Sequence, residues 1–244
     1  MERQVLEISG EDAERFLSDL ITNHLPPEGE LGYAALLSPQ GKYLFDFFVL
    51  RRDGGFWIDV AKERAQALGQ RLMMYRLRAK VEIKTGTAIV ATGLTNKPAT
   101  AFDDPRSPAL GWRDYDGAPA EDVDWDAVHV ENLIPATGIE LIADDSYILE
   151  MGFERLNGVD FKKGCYVGQE VTARMKHKTE LRKGLAHVTV SSAVPVGTEI
   201  TSNGKSVGTL YTQAGGKGLA YLRFDRAKGP MQAGDAEVAL VDAD

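Results

Sequence analysis

The sequence is almost without cysteine. One thiol, Cys165, stands among 244 residues, which excludes an internal disulfide framework and fits a reducing compartment. Histidine is nearly as scarce. The four, at positions 24, 129, 177 and 187, show no H-x-x-x-H, HExxH or CxxC spacing, so a dedicated metal site finds no support. No stretch approaches the roughly 18 apolar residues of a membrane span. The opening MERQVLEISGEDAERF lacks the basic-then-apolar pattern of a secretory leader and is too acidic and serine-poor for an organelle transit peptide. The expectation is a cytoplasmic protein with no membrane partner. A phosphate loop is also missing, since GGKG at 215–218 lies between apparent strands without the Walker spacing.

What is present is ordinary for a globular chain: 43% hydrophobic and 26% charged residues, in a length that serves one large domain or two to three smaller ones. Net charge is −8, which argues against general affinity for nucleic acid. The charge is unevenly spread. Lys162, Lys163, Arg174, Lys176, Lys178, Arg182 and Lys183 meet only Glu170 and Glu180 between residues 162 and 183, so that segment is +5 and the remainder −13. A basic run is usually a solvated face. This one surrounds the lone thiol, which raises the prospect of an anion site. It has no interleaved aromatics of the kind that single-stranded nucleic acid stacks on.

LEISGEDAERFLSDLITNHL reads as a strand, a helix start at Ser9-x-x-Asp12, and a helix with Phe16, Leu17, Leu20 and Ile21 on one face. Two apolar runs flank the turn SPQGK, and RRDGG leads into a third, FWIDV: an antiparallel meander. KERAQALGQRLMMYRLR is helical, with Ala65, Leu68, Leu72 and Tyr75 in one stripe, and AKVEIKTGTAIVATGL returns to strand. The alternation predicts an α+β fold with a split β-α-β, ferredoxin-like arrangement. Residues 96–124 read as loops around one short strand, ALGWRDY. WDAVHVENLIP is a helix ending before Pro135. From about residue 183, short alternating runs punctuated by SNGK and AGGKG predict a small antiparallel barrel. The domain boundary is expected near residue 182, giving regions 1–182 and 183–244.

Within GVDFKKGCYVGQEVTARMKHK (158–178), Val167, Val171 and Met175 recur at helical spacing, predicting a helix from about residue 168. Most lone cysteines are small buried apolar residues. Here Lys163 and the positive end of that helix would favour a thiolate, and Gly164 and Gly168 would let the backbone turn or a ligand come close. A Cys165–His177 nucleophile pair has no supporting local signature. One thiolate cannot hold an iron–sulfur cluster, which takes about four ligands, but it could supply one ligand to a cluster shared with another chain.

The string Lys163-Gly164-Cys165-Tyr166-x-Gly168-Gln169-Glu170 resembles the signature K-G-C-[FY]-x-G-Q-E of the YgfZ family of folate-binding proteins, whose mitochondrial members are called IBA57. These are relatives of the glycine-cleavage T-protein, an aminomethyltransferase. LEISGEDAERFLSDLITNHL, AALLSPQGKYLFDFFV, LRAKVEI and GLAYLRF extend the likeness over nearly the whole chain. The resemblance implies a T-protein-like fold: ferredoxin-like α/β subdomains around a central channel for tetrahydrofolate, plus a small C-terminal β-barrel. It implies a role in assembly or repair of iron–sulfur proteins, 4Fe–4S enzymes above all, among them a radical enzyme that thiomethylates tRNA. The alternative it implies is a tetrahydrofolate-dependent one-carbon transferase.

By that resemblance Cys165, with Lys163 and Asp46, forms the chemical centre. Trp125 and Glu131 contact the folate, Glu131 accepting N–H bonds from the pterin edge. Tyr166, Gly168, Gln169, Glu170 and Arg174 complete the binding surface. Phe45 stands where the T-protein carries one acid of an Asp-Asp pair, and Arg3 where some relatives carry a tryptophan. The implied partners are folate and iron–sulfur client or carrier proteins, met by a monomer or in a transient hetero-complex, with a cluster shared only in passing.

Overall fold

The computed structural model describes residues 2–177 and 181–241. The chain folds into two compact units, Met1–Val123 with Phe153–Ala173, and Asp124–Gly152 with Arg174–Asp244.

The first unit is built on a five-stranded antiparallel sheet in the order β2-β3-β4-β1-β5, formed by β1 (Arg3–Ser9), β2 (Leu31–Leu37), β3 (Tyr43–Arg52), β4 (Gly55–Ala61) and β5 (Glu82–Thr85). β1 pairs antiparallel with both β4 and β5. The two therefore run parallel with β1 between them, and α2 (Lys62–Arg76) joins them. This is the split β-α-β arrangement that the alternation predicts.

Period-2 alternation gives the sheet two faces. Leu6, Ile8, Leu36, Phe47, Val49, Ile58 and Val60 pack on one side against Leu17 of α1 (Ala13–Ser18) and Ala65, Leu68 and Leu72 of α2. By alternation, Arg3, Tyr33, Asp46, Phe48 and Asp59 share the opposite side. α1 starts one residue after Asp12, but that carboxylate does not cap its own helix. It accepts from the Lys80 backbone N–H at 2.7 Å, tying the helix start to the segment before β5.

The strand expected over AKVEIKTGTAIVATGL is two strands in two sheets. The backbone leaves the main sheet at Gly86, whose N–H donates to Val5 O at 2.9 Å. It resumes as β6 (Ala91–Gly93), which joins β7 (Phe102–Asp103) and β8 (Trp112–Asp114) in the order β6-β8-β7.

The second unit holds α3 (Trp125–Asn132) and a closed antiparallel barrel in the order β10-β11-β12-β9-β14-β13. Its strands are β9 (Lys183–Val190), β10 (Thr198–Ser202), β11 (Lys205–Ala214), β12 (Lys217–Arg223), β13 (Met231–Ala233) and β14 (Ala236–Leu240). Val188, Ile200, Leu210, Ala220, Leu222 and Val238 fill the interior. Segment 124–152 belongs with this barrel and not, as the boundary near residue 182 would have it, with the N-terminal region. Two buried or half-buried groups show why. Glu140, 1% exposed, accepts from Thr212 N at 3.1 Å, from Thr212 Oγ1 at 2.6 Å and from Ala136 N at 2.8 Å. Tyr221 donates to Glu150 at 2.5 Å. α4 (Gln169–His177) begins one residue after the position its apolar spacing indicates.

Candidate functional site

Cys165 is exposed and free. The loop that carries it is sewn to the turn after α1, whose last carbonyls lack intrahelical partners. The ammonium of Lys163, a residue only 5% exposed, donates to Ser18 O and, at 2.7 Å, to Ile21 O. A cation there also suits the negative end of the helix. Upstream, Thr22 Oγ1 donates to Gly158 O at 2.6 Å, Asn23 Nδ2 to Asn157 O at 2.6 Å, and Asp160 N to Thr22 O at 3.1 Å. Downstream, Gln169 Nε2 donates to Gly164 O at 3.3 Å, closing the loop over itself. The thiol is thus presented from a backbone fixed on both sides.

Lys163 therefore has a different first task from the expected one. Its nitrogen is spent on backbone carbonyls, and burial lowers the ammonium to about 8, with Asp19, Asp160 and Cys165 pulling the other way. It also lies 5.3 Å from the centroid of the Tyr166 ring. Tyr166 is buried, which pushes its phenol up. Gly168 at φ +83° opposes the SPQGK turn, where Gly41 has φ +73°. Added Cβ atoms would lie 2.7 Å from Ser38 O at residue 168 and 2.8 Å from Val171 Cβ at residue 41. Glu170 and Arg174 are exposed on α4. Lys178 and Glu180 lie outside the described residues.

Asp46 stands on the other face of the main sheet. Tyr33 donates to its Oδ2 at 3.0 Å and Tyr43 to its Oδ1 at 2.6 Å, and the residue is 6% exposed. Beside it, three arginines and two aspartates surround the Phe48 ring. Asp59, 1% exposed, accepts from Arg3 Nε at 2.6 Å, Arg113 Nη1 at 3.0 Å and the Tyr115 hydroxyl at 3.0 Å. Asp104 accepts from Arg106 Nη2 at 2.8 Å and Arg113 Nε at 3.2 Å. The Arg113 guanidinium sits 3.7 Å from the Phe48 centroid, with that of Arg106 at 4.9 Å. Sequence reasoning missed this network. The available signal was charge inside apolar strands, in FWIDV and GWRDY. Arg3 is one of its members.

Trp125 and Glu131 belong to the second unit, Cys165 and Asp46 to the first. Asp124 caps α3, its Oδ1 accepting from Ala127 N at 3.1 Å. Trp125 is half-buried, with its ring centroid 6.1 Å from that of His129. Glu131 is exposed and pairs with Lys217 of β12 at 2.6 Å, a hydrogen bond that holds its carboxyl below the usual range. An ionised acceptor suits the N–H edge of an aminopyrimidinone. The tryptophan does not stand beside it: six residues along a helix turn the side chain about 120° away. The helical period thus sets the two side chains on different sides of α3 (Trp125–Asn132). Among the described residues, no group of three His, Cys, Asp or Glu side chains could hold a metal ion, and no helix is long and apolar enough to cross a membrane.

Residues 182–244 match the family model described as the CAF17 C-terminal beta-barrel domain. The human protein named iron-sulfur cluster assembly factor IBA57, mitochondrial, is 31% identical over an alignment covering 98% of this chain and 80% of that protein. The chain belongs to the IBA57 family. The mouse IBA57 is 29% identical with the same coverage, and the IBA57 homologue of Pyricularia oryzae is 28% identical over 91% of this chain and 70% of its own length. The fold of this IBA57-family chain is similar to that of the glycine cleavage system aminomethyltransferase T from Bartonella henselae. The TM-score is 0.76 at 14% identity, covering 99% of this chain and 83% of that one. The α+β architecture with its six-stranded barrel is thus that of the T-protein.

Proposed function

We propose that this chain assists the assembly or repair of iron–sulfur proteins, with Cys165 lending one thiolate ligand to a cluster shared with a client or carrier. The thiol loses its proton as the sulfur binds iron, and the remaining ligands come from the partner. The observation that carries this reading is an exposed thiol on a loop that Lys163 and Gln169 fix without occupying its sulfur. The clients are 4Fe–4S enzymes, radical enzymes of tRNA modification among them, and the lone cysteine suits the cytoplasm. What favours assembly over one-carbon transfer is Asp46: tyrosines engage both carboxylate oxygens, and Phe45 stands in for the second acid of the T-protein pair. The test is Cys165→Ser in a host lacking the endogenous protein. A 4Fe–4S enzyme should fall to the activity of the deletion strain, while folate affinity stays at the wild-type value. Full client activity would sink the reading.

Folate is the ligand proposed for the second unit, with Glu131 as its anchor and Trp125 not part of the same ring contact. Glu131→Ala should weaken tetrahydrofolate binding by about 1.5–3 kcal/mol, the range for a charge-assisted bond. Trp125→Phe should change it far less. Fluorescence titration reads both. Equal affinity of wild type and Glu131→Ala would move the pterin elsewhere.

A further inference from the structure

The outer surface of the barrel carries a charge arrangement that packing does not call for. On β9 and β12, Ala186, Val188, Ala220 and Leu222 turn inward, so by alternation Lys183 and Arg223 point outward. The two are register partners in the β9–β12 ladder. Side chains directly opposite in an antiparallel pair have their Cβ atoms about 4.5–5.5 Å apart, and like charges placed there are destabilising.

No acid relieves the pair. Among the described residues, the acid within ion-pair range is Asp225, 3.8 Å from Arg223 Nε and, by its other oxygen, 4.0 Å from Arg226 Nε, too far for a hydrogen bond. Tyr221, the preceding outward residue of β12, occupies Glu150 at 2.5 Å. Arg223 Nε is sealed from water and has no hydrogen-bond partner among the described residues, and an orphaned donor costs free energy. The turn after β12 adds charge. Arg226 N and Ala227 N close it on Arg223 O at 2.9 and 2.8 Å, and Arg226 and Lys228 are exposed on it. Arg182, also exposed, enters β9 beside this turn, its carbonyl accepting from Phe224 N at 3.0 Å. Arg182, Lys183, Arg223, Arg226 and Lys228 thus meet one loosely held carboxylate. Two cations in register without a counter-ion break a local rule of sheet design with no gain to the fold, and such breaks are expected at functional surfaces.

We infer that this end of the barrel docks an acidic segment of a partner protein, whose Asp or Glu carboxylates lie between Lys183 and Arg223. Single-stranded nucleic acid fits less well. The patch offers no free aromatic ring for a base to stack on, since Phe224 packs against the barrel core. The chain's net charge of −8 also repels an extended polyanion, whereas a short acidic segment meets only the patch. The surface stands on the barrel's own geometry. Naming the partner as an iron–sulfur client or carrier rests on the assembly reading.

The experiment titrates the isotope-labelled full chain with a hexaglutamate peptide and follows its backbone amides by NMR. Those of residues 182–184 and 223–228 should shift. Lys183→Gln together with Arg223→Gln should weaken the binding about fivefold or more. Lys205→Gln, the same loss of charge at the exposed turn between β10 and β11, should change it less than about twofold. Lys183→Gln alone should melt no lower than wild type, because it removes a repulsion and no bond. Lys183→Glu would pair with Arg223 in the partner's place, so it should lower client-enzyme activity in the host while the thiol-reagent reactivity of Cys165 stays at wild type. Inorganic phosphate or oligouridine matching the peptide at the same amides, a lower melting temperature for Lys183→Gln, or full client activity in Lys183→Glu would each overturn the docking surface. Cys165→Ser keeps the two claims apart. It should abolish client activity and leave peptide binding intact. An active Cys165→Ser defeats the assembly reading, whereas an active Lys183→Glu beside an inactive Cys165→Ser defeats the docking surface alone.

Discussion

Asp59→Ala should cost the first unit about 3–5 kcal/mol, the usual penalty for removing one partner of a buried ion pair. Asp59 is 1% exposed and is the acceptor for Arg3, Arg113 and Tyr115 together. Without it, the guanidinium groups of Arg3 and Arg113, largely buried, face the Phe48 ring with one fewer counter-charge. Asp59→Asn keeps the shape and some of the hydrogen bonds, so its loss should be smaller. Urea denaturation followed by a probe in the first unit measures both. A loss for the alanine variant below about 1 kcal/mol would reduce the network to the worth of surface pairs.

The same network sets an acid limit. Burial pushes the Asp104 carboxyl up, but Arg106 and Arg113 outweigh burial and hold it at about 2. A group depressed on folding stabilises fully above its unfolded value, near 4, and loses that contribution as pH falls toward 2. Wild type should therefore lose stability across that window, and Arg106→Gln should show a flatter profile there.

Much of this architecture is legible in the sequence because it is local. SPQGK and RRDGG announce the main meander, the Ala65, Leu68, Leu72 stripe announces α2, and SNGK and AGGKG announce barrel hairpins. The Cys165 motif is a single run of eight residues, so its helix and its exposed thiol could be placed from spacing and resemblance. What the sequence hides is contact across long separations. Nothing near Lys163 says that its ammonium reaches Ser18 and Ile21, since backbone carbonyls carry no sequence signature. Likewise, Arg3, Asp59, Asp104, Arg106 and Arg113 come from four separate segments that only the folded sheet brings to one ring. Trp125 and Glu131 show the opposite limit. Each fits a folate role by resemblance, and the helical period that separates them was present in the sequence throughout.

Two glycines of the thiol motif should behave oppositely when changed to alanine. At Gly168 the added Cβ meets Ser38 O at 2.7 Å and Gly41 Cα at 3.0 Å, and the backbone sits at φ +83°. Ser38 O already accepts from Gly41 N at 2.8 Å, so the turn has no flexible side chain to move aside. The left-handed backbone costs about 1–2 kcal/mol and the overlap about 1–3 kcal/mol more, so Gly168→Ala should destabilise the first unit and loosen the loop bearing Cys165. At Gly164 no positive φ is required, and an added Cβ meets nothing within 4 Å. Gly164→Ala should leave stability within about 0.5 kcal/mol of wild type. That emptiness lies next to the thiol in sequence, where the proposed cluster ligation would need room. A bulkier Gly164→Val should therefore lower client-enzyme activity while stability changes little. Equal stability of the Gly168→Ala and Gly164→Ala proteins would mean that the SPQGK turn does not hold the loop, and Cys165 would lose the rigid presentation on which its proposed role depends.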